Sequence, residues 1–157
     1  MTSPRQVTLA GKSLERSRHV CAFFNSKDEE YRVLLPFIKE GFGRGEKAFH
    51  IVKEDQHPRH REALSKAGIP VTEVEGTGQF VLCRWEDAYL RDGHFDQNRM
   101  LALIEEVLQA GKQEGFPLTR LVANMEWALE DRPGVHDIVE YETRLNYVLP
   151  KYDDAVC

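Results

Sequence analysis

The 157-residue sequence predicts one α/β domain in three layers, a mostly parallel sheet with helices on both faces. Three observations point there. Short apolar runs alternate with helix-periodic segments of ten residues or more, the order of βαβ units, whose crossovers cover both faces of a parallel sheet. Hydrophobic residues make up 41 % and charged residues 30 %, a globular composition. The length suffices to bury roughly two-thirds of the unfolded surface, and no repeat or low-complexity linker divides the chain.

In chain order, residues 1–17 are polar and weakly periodic, and read as a flexible N-terminal arm with one short strand at Val7–Leu9; residues 18–157 form the domain. His19-Val-Cys-Ala-Phe-Phe24, an apolar run stopped by Asn25-Ser26, reads as the first buried strand. Tyr31, Leu34, Leu35 and Ile38 repeat at helical spacing until Gly41–Gly43. Ala48–Val52 reads as a strand, and a helix enters around Asp55–Pro58 and leaves at Gly68. Val71–Val74 and Phe80–Trp85 read as two short strands around Gly76-Thr-Gly78. The clearest helix runs from Asp96 to about Gly111, with Met100, Leu101, Leu103, Ile104, Val107 and Leu108 on one broad face. Leu118–Met125 reads as a central strand, Ile138–Leu149 as the last helix, and Ala155-Val-Cys157 as the start of a further strand.

Ligands of open parallel sheets bind beyond the carboxyl ends of the strands, so Asn25-Ser26, Lys53–Asp55, the Trp85 region and Glu126-Trp127 are expected at one edge. The first loop there is hostile to phosphate. Ser26-x-x-Glu29 has capping-box spacing, with the Ser26 oxygen on the Glu29 amide and Glu29 reaching back to the Ser26 amide. Asp28, Glu29 and Glu30 then fill the helix's first turn, where the macrodipole favours negative charge. No glycine stands between Phe24 and Gly41, so nothing allows close backbone approach to a triphosphate. Ala10-Gly-Lys-Ser13 imitates the tail of a P-loop, but Gln6 stands where its first glycine belongs.

A net charge of −5, without a Lys/Arg run, argues against direct nucleic-acid or anionic-membrane binding. Three scattered cysteines (Cys21, Cys83, Cys157) and the lack of an apolar signal core predict a reducing, cytoplasmic setting. GxSxG, HExxH and CxxC motifs are absent, so neither an enzyme nor a catalytic residue is predicted.

Candidate site residues are few. His19 and Cys21, two apart on a strand, would point to one face. They offer two donors where a closed metal site wants four, with Cys83 and His50 as distant completions, so packing or ligand contact is favoured over a metal and no cofactor is expected. Glu126, at the tip of an apolar strand beside Trp127, suits either ligand orientation or a turn cap. His57 and His60 read as exposed surface histidines. Phe23, Phe24, Tyr31, Phe49, Trp85 and Trp127 lie at or near the expected ligand edge, mostly as core, with Tyr and Trp able to line a pocket.

As a set, His19-Val-Cys-Ala-Phe-Phe24, Asp28-Glu-Glu-Tyr31, Leu35-Pro-Phe-Ile-Lys-Glu-Gly41, Glu46-Lys-Ala-Phe, Asn124-Met-Glu-Trp127, Glu140-Tyr-Glu142 and Asn146 resemble the MEDS (methanogen/methylotroph, DcmR sensory) domain family from about residue 17 onward. The resemblance implies a degenerate RecA/KaiC-like core without a working P-loop that senses small organic compounds such as hydrocarbon derivatives. It makes His19, Cys21, Glu126 and Trp127 the leading ligand-site residues, joined by Phe23, Asn25 and Tyr31 at the same edge. Output would pass to a histidine kinase or DNA-binding partner, and a second subunit of a homo-oligomer could complete the sheet. Two alternatives stay open: a protein–protein regulator of RecA-like descent, and a metal- or haem-based sensor using His19 and Cys21.

Overall fold

The computed structural model describes residues 6–15, 18–152 and 155–156. Four parallel strands form the main sheet in the order β4-β3-β5-β6, where β3 is Lys47–Ile51, β4 Phe80–Cys83, β5 Thr119–Ala123 and β6 Ala155–Val156. Every residue of β3 is buried, as expected for a central strand covered on both faces. Ahead of the sheet, β1 (Val7–Leu9) and β2 (Lys12–Leu14) make an antiparallel hairpin around Ala10 and Gly11, both at positive φ. Lys12 and Ser13 are exposed on β2, far from any phosphate-cradling geometry. Part of the expected N-terminal arm is thereby ordered: Val7 has 0 % exposure and packs against Phe37 and Ile38 of α1 (Lys27–Gly43). The rest of that arm, residues 1–5 and 16–17, lies outside the described residues.

Strand alternation assigns the two cores. Ala48, Phe80, Leu82 and Val122 face α1, α2 (His57–Lys66) and α3 (Val71–Gly76), where Phe37, Ile38, Leu64 and Val74 meet them. Phe49, Ile51, Val81 and Leu121 face α4 (Gln97–Gln113) and α5 (Ile138–Val148), meeting Met100, Ile104, Tyr141 and Leu145. The molecule is therefore a three-layer α/β domain. Asp96 caps α4 by accepting the Arg99 amide at 2.9 Å.

At the amino ends of the strands a charged cluster is sealed inside. Arg120 on β5 is 2 % exposed and lies edge-on to three acceptors: Glu46 at 2.6 Å, Glu40 at 2.9 Å and the Phe37 carbonyl at 2.7 Å. Its stem crosses α1 at Gly41, where an added Cβ would stand 2.8 Å from the Arg120 side chain.

Three elements differ from the sequence reading. His19–Phe24 is not a buried strand; residues 18–24 make no ladder, Cys21 is exposed and Phe23 is 94 % exposed. The segment is held instead by side-chain contacts to α5, through His19 and Cys21. Val71–Val74 is helical: Val71 and Val74, one turn apart, both meet the core, and Pro70 opens the helix. β4 ends at Cys83, so Trp85 belongs to the following 3₁₀ turn, 1 % exposed.

Candidate functional site

At the carboxyl edge the four expected loops do gather. Lys27, at the start of α1, bridges Glu30 at 2.9 Å and Glu126 at 2.7 Å. Gln56 donates to Glu126 at 3.4 Å, Arg84 reaches Glu54 at 3.4 Å, and Lys53 lies over Trp85. The Trp85 indole donates to the Asn124 carbonyl at 2.9 Å. Glu126 is thus a cross-link between the starts of α1 and α2; partial burial pushes its carboxyl up, but Lys27 and Gln56 hold it below the ordinary value. Ser26 caps α1 by accepting the Glu29 amide at 3.2 Å. Glu29 reaches back one residue further than the capping box predicts, to the Asn25 amide at 2.7 Å and its side chain at 3.0 Å. Asn25 is consumed by that contact, and the first turn of α1 keeps its own carboxylates at the anion position.

Trp127 is packed rather than presented. It has 0 % exposure and sits among Tyr89 and Phe95, ring centroids 4.9 and 5.1 Å away. Tyr31 and the paired histidines form a second buried constellation. The Tyr31 hydroxyl lies 2.9 Å from His60 Nδ1, and His60 Nε2 lies 2.8 Å from His50 Nδ1. His60 is therefore not a surface histidine; it is 4 % exposed, because the first turn of α2 turns it onto β3. Burial lowers His60 to about 4, His50 well below its ordinary value, and raises Tyr31 to about 12. His57 faces the Val52 carbonyl at 2.9 Å. Cys83 faces the α4–α5 core and His50 the opposite one, so neither meets His19 or Cys21.

His19 and Cys21 converge elsewhere, on the outer face of α5. His19 Nε2 stands 2.9 Å from Glu142 Oε2, and Cys21 Sγ contacts the same oxygen at 3.4 Å. His19 Nδ1 lies 3.1 Å from Asn146 Oδ1. The strand-like alternation of residues 19 and 21 survives without a strand, since both side chains meet one helix. The Glu142 hydrogen bond raises the His19 pKa, while burial and then the Glu142 charge raise that of Cys21. The same two elements also carry exposed apolar side chains: Val20 and Phe23 on the segment, Val139 and Tyr147 on α5. Positions 139, 142, 143, 146 and 147 share one helical face. The structure thus separates the expected set: His19, Cys21 and Phe23 flank α5, whereas Asn25, Glu126 and Tyr31 belong to the sheet edge and α1–α2.

Glu142 and Asn146 were part of the family resemblance but not among the expected site residues; their local signal is a polar i, i+4 pair on a helix whose other face is Tyr141, Leu145 and Val148.

A transcriptional repressor, DcmR of Methylorubrum extorquens (strain DSM 6343 / CIP 106787 / DM4), is 24 % identical over 141 residues, covering 90 % of this chain and 50 % of that protein. The chain therefore spans about half the length of this curated relative. No solved structure matches. The family model described as the methanogen/methylotroph, DcmR sensory domain matches residues 18–157, from just before His19 through Glu126, Glu142 and Asn146 to the last residue, and the chain belongs to that MEDS family.

Proposed function

We propose that this sensory domain reads a small organic molecule of mixed character, an apolar body with one polar group, where residues 18–24 lie against α5. The observation that carries the reading is the composition of that surface. The two elements that carry the tight donor–acceptor set of His19, Cys21, Glu142 and Asn146 also carry four exposed apolar side chains, Val20 and Phe23 on the segment and Val139 and Tyr147 on α5. Exposed large hydrophobics on an isolated surface cost nothing singly, but grouped around polar groups they mark a recognition site. Residues 18–24 make no ladder, so they can close over a ligand without breaking the sheet. A hydrocarbon derivative such as an alcohol or aldehyde would place its chain on Phe23 and Tyr147 and its oxygen on His19. The Lys27–Glu126 edge, with its acidic first turn, leaves no anion site for a nucleotide, so sensing proceeds without NTP hydrolysis. The relative's name, transcriptional repressor, supports an output to transcription through a DNA-binding or kinase partner.

A thermal-shift panel of short-chain alcohols, aldehydes and carboxylic acids tests the proposal. A member that stabilises the wild type, and loses its effect in Phe23→Ser and His19→Gln, is the expected result; no shift across the panel overturns it. The same exposed apolar side chains support a second reading, docking of a partner protein. Light scattering that shows a ligand-independent dimer, lost in Phe23→Ser, would favour that alternative.

A further inference from the structure

We infer that His19, Cys21 and Glu142 form a binding site for a borderline divalent cation such as Zn²⁺, with Asn146 setting the orientation of His19. Sequence spacing offers two donors only; the fold delivers the third from a helix more than a hundred residues away. His19, Cys21 and Glu142 each turn one ligand atom to a common point, all within 4.8 Å of one another. A tetrahedral ion with ligands at 2.0–2.3 Å holds its donors about 3.3–3.8 Å apart, so small side-chain shifts suffice to close these around a cation.

Hydrogen bonds of α5 fix which atom of His19 is offered. The Asn146 amide nitrogen donates to the Glu142 backbone carbonyl at 3.2 Å, which leaves its Oδ1 as an acceptor. That oxygen lies 3.1 Å from His19 Nδ1, so Nδ1 carries the hydrogen and Nε2 faces Glu142 and Cys21. A histidine held through its far nitrogen, with the near one aimed at a thiol and a carboxylate, has the outer-shell support typical of a metal ligand. Three protein donors leave a fourth position open, on the side where Cys21 is exposed.

In the metal-free protein the 2.9 Å contact between His19 Nε2 and Glu142 holds the place of the cation. Binding of M²⁺ displaces the His19 proton and the Cys21 thiol proton, forming bonds to Nε2, Sγ and a Glu142 oxygen; uptake therefore releases protons and weakens as pH falls. The site uses the same surface as the organic-ligand reading but does not depend on it.

The test uses the chelator-treated 157-residue chain titrated with Zn²⁺ against a chromophoric competitor, and with Co²⁺ as a spectroscopic probe. One Zn²⁺ per chain is expected, together with a near-ultraviolet thiolate-to-cobalt band that vanishes in Cys21→Ser. His19→Gln and Glu142→Gln should each weaken binding at least tenfold. Asn146→Ala should weaken it by about 10–100-fold while keeping the thiolate band, the mark of a positioning residue. Absence of stoichiometric Zn²⁺, or uptake unchanged in a His19→Gln/Cys21→Ser double variant, overturns the site. Circular dichroism of each variant checks folding. Repeating the organic panel with and without chelator separates the readings: a thermal shift without metal sustains the ligand alone, and metal uptake without any shift sustains the cation alone.

Discussion

Two polar clusters of similar make-up sit at opposite places in the fold. At the amino ends of β3 and β5, Arg120, Glu46 and Glu40 are sealed beneath α1; Arg120 is 2 % exposed and holds three acceptors. On the outer face of α5, His19, Cys21 and Glu142 meet with their donor atoms near the surface, on a segment without secondary structure. The first is mostly buried, with each carboxylate on Arg120 and one Glu46 oxygen left without a partner, its geometry fixed by strands and a helix at once. The second shares a single carboxylate oxygen between two donors, so it is under-coordinated and open. Charged residues of the first kind hold a fold together; those of the second kind wait for something.

The largest effect should come from breaking the sealed cluster. Arg120→Met removes the partner of two carboxylates, and Glu46 has 0 % side-chain exposure with which to recover water. Removing one member of a buried ion pair typically costs about 3–5 kcal/mol, because the other charge is left uncompensated. Urea unfolding should show that loss. A cost below 1 kcal/mol would erase the distinction drawn between the clusters. Restoring the cavity with a neutral set, Arg120→Met with Glu46→Leu, should recover part of it.

Acid sharpens the same comparison through the histidines. The folded pKa of His60 is lowered to about 4 from an unfolded 6.5, so the unfolded chain binds more protons between those values. His60 then contributes stability that is fully present above pH 6.5 and lost as pH falls toward 4, on the order of 3 kcal/mol in all. His50, lowered by burial too, deepens the loss. Denaturation curves at pH 7.5 and pH 5 should differ accordingly. His60→Gln should flatten that difference, since glutamine does not titrate.

Much of the fold was legible because strand and helix periodicity report burial directly. β3, β5, α1, α4 and α5 are each a run of apolar residues at the period their burial demands. His19–Phe24 is as apolar as β3, yet it lies outside the sheet and against α5, because composition states what a segment could bury and not which neighbour it meets. Val71–Val74 failed for a related reason: β-branched residues one helical turn apart answered to the core beneath them. The site was half legible. His19 and Cys21 stood out as a pair, while Glu142 and Asn146 become neighbours only through the tertiary path. His60 shows the reverse, an apparently exposed histidine that the turn of α2 buries.

The smallest stability effect is the most telling. His19→Gln removes one side of the 2.9 Å contact with Glu142, whose side chain keeps 21 % of its surface in water. An ion pair that can rehydrate contributes about 0–1 kcal/mol, so unfolding should shift by less than 1 kcal/mol. Its pH dependence must also run opposite to that of His60. The folded pKa of His19 is raised, by the Glu142 hydrogen bond first, so its contribution is fully present below pH 6.5 and disappears as pH rises through the folded value. Histidines with opposite signs on one chain make a clean internal control: His60→Gln should stabilise the protein in acid relative to wild type, and His19→Gln should weaken it slightly there and not above the raised folded pKa of His19. A large loss from His19→Gln at every pH would mean that residues 18–24 are a structural strap. A small loss, confined to pH below the folded pKa of His19, leaves the α5 surface free to serve recognition, because a cluster that contributes little to folding can be rearranged by what it binds.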